Sequence, residues 1–118
     1  MPGLYAFPRH ERLTRKKDFE YVFKQGVKHV GKYFVCYLVR HEASGRRMGM
    51  AVSRKVGCAV ARNRVKRMLR EFYRHHRNRF PENLWLVVVA RPGCDTLSHV
   101  ELTDAMRKMI RRGGALDD

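Results

Sequence analysis

Val65, Met68, Leu69, Phe72 and His76 recur at i, i+3, i+4, i+7 and i+11, one stripe of a 3.6-residue repeat, and predict a helix with that stripe against a core. Helical spacing gathers Asn63, Lys66, Arg67, Arg70, Arg74 and Arg77 on the far, solvent side, with Arg62 and Arg64 flanking it near the N-terminal end. Upstream, Thr14 suits a helix N-cap, and Phe19, Val22 and Phe23 mark a short amphipathic helix that Gly26 would stop. Residues 27–30 read as a short edge strand. In the strand predicted over 33–39, period two separates Tyr33, Val35, Tyr37 and Val39 from Phe34, Cys36 and Leu38. Residues 41–46 read as a hairpin loop into a strand at 47–52, where Met48, Met50 and Val52 form a bulky face and Gly49 and Ala51 a thin one. After the break at 80–83, the unbroken apolar run 84–90 has the character of a central strand covered on both faces. Ser98 with Glu101 three residues on makes a capping box for a last helix through Val100, Met106, Met109 and Ile110, ended by Gly113 and Gly114. Residues 1–12, with Pro2, Gly3, Pro8 and scattered basic side chains, read as a flexible basic N-terminal arm.

The order helix, three strands, helix, strand, helix (α-β-β-β-α-β-α) predicts an α+β class, an α-β sandwich of about four strands with the helices packed on it. At 118 residues and 44% hydrophobic content, a single domain over 1–118 with one modest core is expected. If the strands on either side of the basic helix are parallel neighbours they form a β-α-β unit, and the general rule makes such units right-handed in about 98% of cases.

Charge changes the picture more than composition does. Lys and Arg number 26 against 11 Asp and Glu, a formal net charge of +15. An ordinary solvated helix face mixes signs, yet only Glu71 is acidic between Arg54 and Arg79, so like charges repel along the face at a few tenths of a kcal/mol per pair. A polyanion relieves that cost, and nucleic acid fits better than a membrane surface. No apolar run approaches the roughly 20 residues of a spanning helix, and the N-terminal residues lack the apolar core of a signal peptide, so a cytoplasmic protein is expected. Cys36, Cys58 and Cys94 are odd in number and show no paired spacing, which favours reduced, structural thiols over disulfides or a zinc site.

Candidate chemistry within the chain is thin. A self-sufficient nuclease would need His75 or His76 with Glu71 as acid and base, but His76 lies on the apolar stripe and no clustered carboxylates offer a metal site. No catalytic or metal-binding residue is therefore assigned. DNA binding is not expected, since neither a dimerisation heptad nor a helix-turn-helix accompanies the basic helix. A structural RNA-binding protein of the ribosomal type, without a role in cleavage, would share the charge, size and fold class.

The motif separates these readings. Gly49, Ser53, Lys55, Gly57, Ala59-Val60 and the run Arg62-Asn63-Arg64-Val65-Lys66-Arg67, followed by Leu69-Arg70-Glu71, resemble the signature of the bacterial ribonuclease P protein subunit. Arg12-Leu13, Asp18-Phe19, Val22-Phe23 and Gly26 resemble that family's first helix, and Tyr33-Phe34 with Tyr37 its following strand; the last fifteen or so residues match only in helical character. Cys58 departs from the pattern, standing where the family often has Asn or another small polar residue. The resemblance implies a fold like the second domain of ribosomal protein S5, with a left-handed β-α-β crossover in place of the usual hand. It implies an accessory subunit, inactive alone, of an RNA enzyme that hydrolyses one phosphodiester to remove the 5′ leader from precursor tRNA, with Mg2+ held by the RNA. By the same resemblance Arg62, Asn63, Arg64, Lys66, Arg67 and Arg70 contact the catalytic RNA, and Phe19, Phe23 and Tyr37 line a leader-binding cleft; Ser53 and Lys55, at the turn out of the strand, are placed to add phosphate contacts beside it. The division suits the chemistry: Arg presents a planar fork to phosphate, and aromatic rings stack unpaired bases at about 1–3 kcal/mol each.

Overall fold

The computed structural model describes residues 7–42 and 45–116. Helix α1 (Lys16–Gln25) precedes strands β1 (Val27–Val30), β2 (Phe34–Arg40) and β3 (Arg47–Ala51); helix α2 (Ala59–His76), strand β4 (Leu84–Ala90) and helix α3 (His99–Arg112) follow. This is the expected α+β class, with its element order. The strands form one mixed sheet in the order β1-β2-β4-β3, antiparallel except for the β3–β4 pair. Because β3 and β4 run parallel, α2 is the crossover of a β-α-β unit.

The loop after β2 does not make a hairpin. β4 lies between β2 and β3, pairing Phe34 with Ala90 through Arg40 with Leu84 on one edge, and Arg47 with Trp85 through Ala51 with Val89 on the other. The composition of β4 explains its place, since an unbroken run of large apolar side chains loses most water by sitting centrally, where both faces are covered. Leu86, Val87 and Val88 are fully buried.

Each sheet face has its own core. Phe34, Cys36 and Leu38 of β2, Met48 of β3 and Leu84, Leu86, Val88 and Ala90 of β4 meet Val65, Met68, Leu69, Phe72 and Tyr73 of α2 and Leu102, Met106, Met109 and Ile110 of α3. On the opposite face Trp85 and Val87 meet Leu13 and Val22, with Phe19, Tyr37, Val39 and Val89 half-buried around them.

Several expectations change in detail. Arg15, not Thr14, is the N-cap of α1, and its side chain makes no capping bond. Val100 is 77% exposed, and Leu102 takes its place on the buried stripe of α3. The capping box of Ser98 and Glu101 is present in both directions. Cys36 and Cys94 are buried, but Cys58 is exposed at the N-cap of α2, so it is not a core thiol. The basic arm expected over 1–12 is built into the fold from Phe7 onward: Arg9–Glu11 form a short 3-10 helix, Phe7 and Leu13 are buried, and the Leu13 N–H donates to the Met48 carbonyl at 3.0 Å. Residues 1–6 of that arm, and residues 43–44, lie outside the described residues.

Candidate nucleic-acid interface

The basic face of α2 takes shape because its apolar stripe is committed to the core. Asn63, Arg67 and Arg70 are exposed and Arg62, Lys66 and Arg74 half-buried, while Val65, Met68, Leu69 and Phe72 are buried beneath them. The first turn of α2 holds no acidic residue, so the positive end of the helix dipole is not offset there. Glu71, the acid on this helix, lies 2.9 Å from His99 Nε2 and ties α2 to the start of α3.

Two arginines expected on the solvent side are structural in the free protein. Arg77 forms an ion pair with the buried Glu11, which also accepts a 2.6 Å hydrogen bond from the Tyr73 hydroxyl. The stripe therefore includes Tyr73, which the periodicity did not single out. Burial first, and then the bond to Glu11, push the Tyr73 phenol far above its ordinary range. A carboxylate at 3% exposure is tolerable because a guanidinium and a hydroxyl replace its water. Arg64 likewise points inward: its Nη1 donates to the Asp95 carbonyl at 2.7 Å and its Nη2 to the Leu97 carbonyl at 3.1 Å. His76, expected on the stripe, stacks half-buried on Phe72 at 4.4 Å, and burial lowers its pKa.

On the other side of the sheet the expected aromatic residues come together. Phe19 and Phe23, one turn apart on α1, have centroids 6.3 Å apart, and Phe23 meets Tyr37 edge-on at 4.9 Å and 85°. The thin face of β3 admits this arrangement: a Cβ on Gly49 would lie 2.7 Å from Phe19 Cζ. These rings stand over the row Lys28, Tyr37, Val87 and Gly49 that runs across the four strands. The next row, Val30, Val35, Val89 and Ala51, continues the floor and is half-buried except for Val30, which is 53% exposed. Phe23 is 41% exposed, so its ring is not plain core.

Ser53 and Lys55 lie in the exposed turn that leads from the floor strand β3 into α2, where the Lys55 N–H reaches Ser53 Oγ at 3.3 Å. That turn joins the aromatic floor to the basic helix within a few residues. Beside it Cys58 has its thiol pKa lowered by the backbone amides of Ala61 and then Val60. Among the described residues no group of three or more His, Cys, Asp or Glu is placed to hold a metal ion, and no helix is long and apolar enough to cross a membrane.

A mixed-sheet α+β domain with a predominantly basic helix on one side and an incompletely covered aromatic sheet face on the other defines a class of small, strongly basic α+β protein. Comparison with known proteins narrows the class. The Ribonuclease P family model matches residues 7–114. The ribonuclease P protein component of Dictyoglomus turgidum is 44% identical over 117 residues, covering 97% of this chain and 98% of the relative, and that of Dictyoglomus thermophilum is 38% identical, covering 98% of each. The ribonuclease P protein of Staphylococcus aureus superimposes with a TM-score of 0.83 at 25% identity over 91% of this chain and 98% of its own. That of Thermotoga maritima, solved with 1-(4-fluorophenyl)-2-thiourea, gives 0.78 at 28% identity over 86% and 98%. The chain belongs to the ribonuclease P protein family, whose members are subunits of a ribonuclease.

Proposed function

We propose that this protein binds the catalytic RNA of ribonuclease P through the basic face of α2 and receives the 5′ leader of precursor tRNA on the aromatic sheet face, assisting removal of the leader. The observation that carries the reading is the continuous surface made by Phe19, Phe23 and Tyr37 on an open sheet face, joined to α2 by the Ser53–Lys55 turn.

Arg62, Asn63, Lys66, Arg67 and Arg70 present cationic and amide donors to the phosphates of a folded RNA, where they set register and affinity. The aromatic floor takes unpaired leader bases without reading their identity, because every base has a π-face. Ser53 and Lys55 hold leader phosphates between the two surfaces. Hydrolysis itself belongs to the RNA and the Mg2+ ions it holds; the protein's residues bind and orient, and none moves a proton. The protein acts in the cytoplasm, where precursor tRNA is made, and its partners are the catalytic RNA and the 5′ leader of precursor tRNA, with neither membrane nor DNA.

The experiment is cleavage of precursor tRNA by the catalytic RNA at low magnesium, with and without the protein. The expected result is cleavage that depends on the protein, with none from the protein alone after contaminating nuclease is removed. Equal rates with and without protein, or cleavage by protein alone, would overturn the reading.

A further inference from the structure

Arg64 sits in the middle of the basic run, yet its fork is occupied by two backbone carbonyls from a turn about thirty residues away, Asp95 at 2.7 Å and Leu97 at 3.1 Å. The turn Cys94–Thr96 is a 3-10 helix between β4 and α3, anchored by the buried Cys94 and Leu97. Its own bonds end on the Gly93 and Cys94 carbonyls, at 3.1 and 3.2 Å, so Arg64 serves acceptors further along. A planar fork can hold two carbonyls at once, which an ammonium group cannot do in the same geometry.

The same turn abuts the segment that precedes α2. A Cβ on Gly57 would fall 3.1 Å from Ala61 Cβ and 3.8 Å from Asp95 Oδ2, and Gly57 has a φ of 156°. Residues 53–58, the first turn of α2 and the 94–96 turn thus form one corner, and Arg64 spans it.

We propose that Arg64 is a positioning residue: it locks the 94–96 turn against α2, and thereby holds Ser53, Lys55 and Arg62 in the arrangement they present to RNA, its own fork being spent on protein carbonyls and not on phosphate. This rests on the reading of α2 as an RNA face, so the test separates the two.

Hydrogen exchange of the free protein is measured for wild type, Arg64→Lys, Arg64→Gln, Arg67→Gln and Arg70→Gln, and the salt dependence of binding to the catalytic RNA is measured for the same proteins. Arg64→Lys keeps the charge and loses the fork, so peptides covering 53–58 and 93–98 should exchange about tenfold faster, as loss of a charge-assisted hydrogen bond implies. Arg64→Gln should weaken RNA binding with the salt slope of wild type, whereas Arg67→Gln should lower the slope by about one with exchange unchanged. Wild-type exchange in Arg64→Lys, or a slope lowered by about one in Arg64→Gln, would overturn the proposal. An unchanged slope in both Arg67→Gln and Arg70→Gln would overturn the RNA face itself, whereas the exchange result judges the corner independently.

Discussion

The buried Glu11 shows how a single residue commits a segment that looks unstructured in sequence. Its partners Tyr73 and Arg77 stand 62 and 66 positions away, so no local pattern could reveal that the N-terminal segment is fastened to the end of α2. Tyr73→Phe removes one hydrogen bond to that carboxylate and leaves the ion pair in place; the expected loss is about 1.5–3 kcal/mol by denaturant unfolding. A loss under about 0.5 kcal/mol would mean that the hydroxyl contributes little there. The cysteines offer a second residue-level test. Burial pushes the Cys36 thiol up to about 12, and burial with the Asp95 charge pushes Cys94 to about 11, whereas backbone amides at the start of α2 lower Cys58. The thiolate is the reactive form, so Cys58 should react with iodoacetamide first, at a rate that rises with pH and levels off below the ordinary thiol value of about 8.5. Bound catalytic RNA should slow that reaction, because Cys58 is the N-cap of α2, just before Arg62 and Asn63 on its basic face. Faster labelling of Cys36 or Cys94 in the folded protein would contradict this assignment.

At the scale of elements, what was legible depended on how local its cause is. The capping box of α3 was readable because Ser98 and Glu101 are three residues apart. The buried stripe of α2 was readable because periodicity reports burial directly, and β4 because an unbroken apolar run of strand length implies cover on both faces. The insertion of β4 between β2 and β3 was not, since strand pairing is a choice among distant partners that no window contains. For the same reason the basic face of α2 was legible as charge, but the inward turn of Arg64 and Arg77 was not, both being decided by carbonyls and a carboxylate far along the chain. The grouping of Phe19, Phe23 and Tyr37 followed from the i,i+4 spacing of the two phenylalanines and the thin face of β3 that accepts Phe19. The central place of β4 carries its own test. Leu86→Ala, at a fully buried position, should cost about 2–5 kcal/mol, while Val27→Ala on the exposed edge strand should stay within about 0.5 kcal/mol. Comparable costs at the two sites would contradict the layering.

For the whole molecule, a net charge of +15 opposes the compact state of the free protein and favours its association with RNA. Moderate salt shortens the Debye length to about 10 Å at 0.1 M, so the free protein's Tm should rise from low to moderate salt while its RNA affinity falls; a falling Tm would contradict the repulsion. Phe23→Leu and Tyr37→Leu in the assembled ribonucleoprotein, with affinities for precursor and mature tRNA measured at matched salt, decide whether the sheet face holds the leader while α2 holds the catalytic RNA. Phe23 is partly exposed, so a shape-tolerant swap leaves the fold intact. Precursor affinity should fall by about 1–3 kcal/mol for each lost stack, with mature tRNA binding and assembly with the catalytic RNA unchanged. Equal losses for precursor and mature tRNA, or no loss for either, would contradict the leader's place on the sheet face.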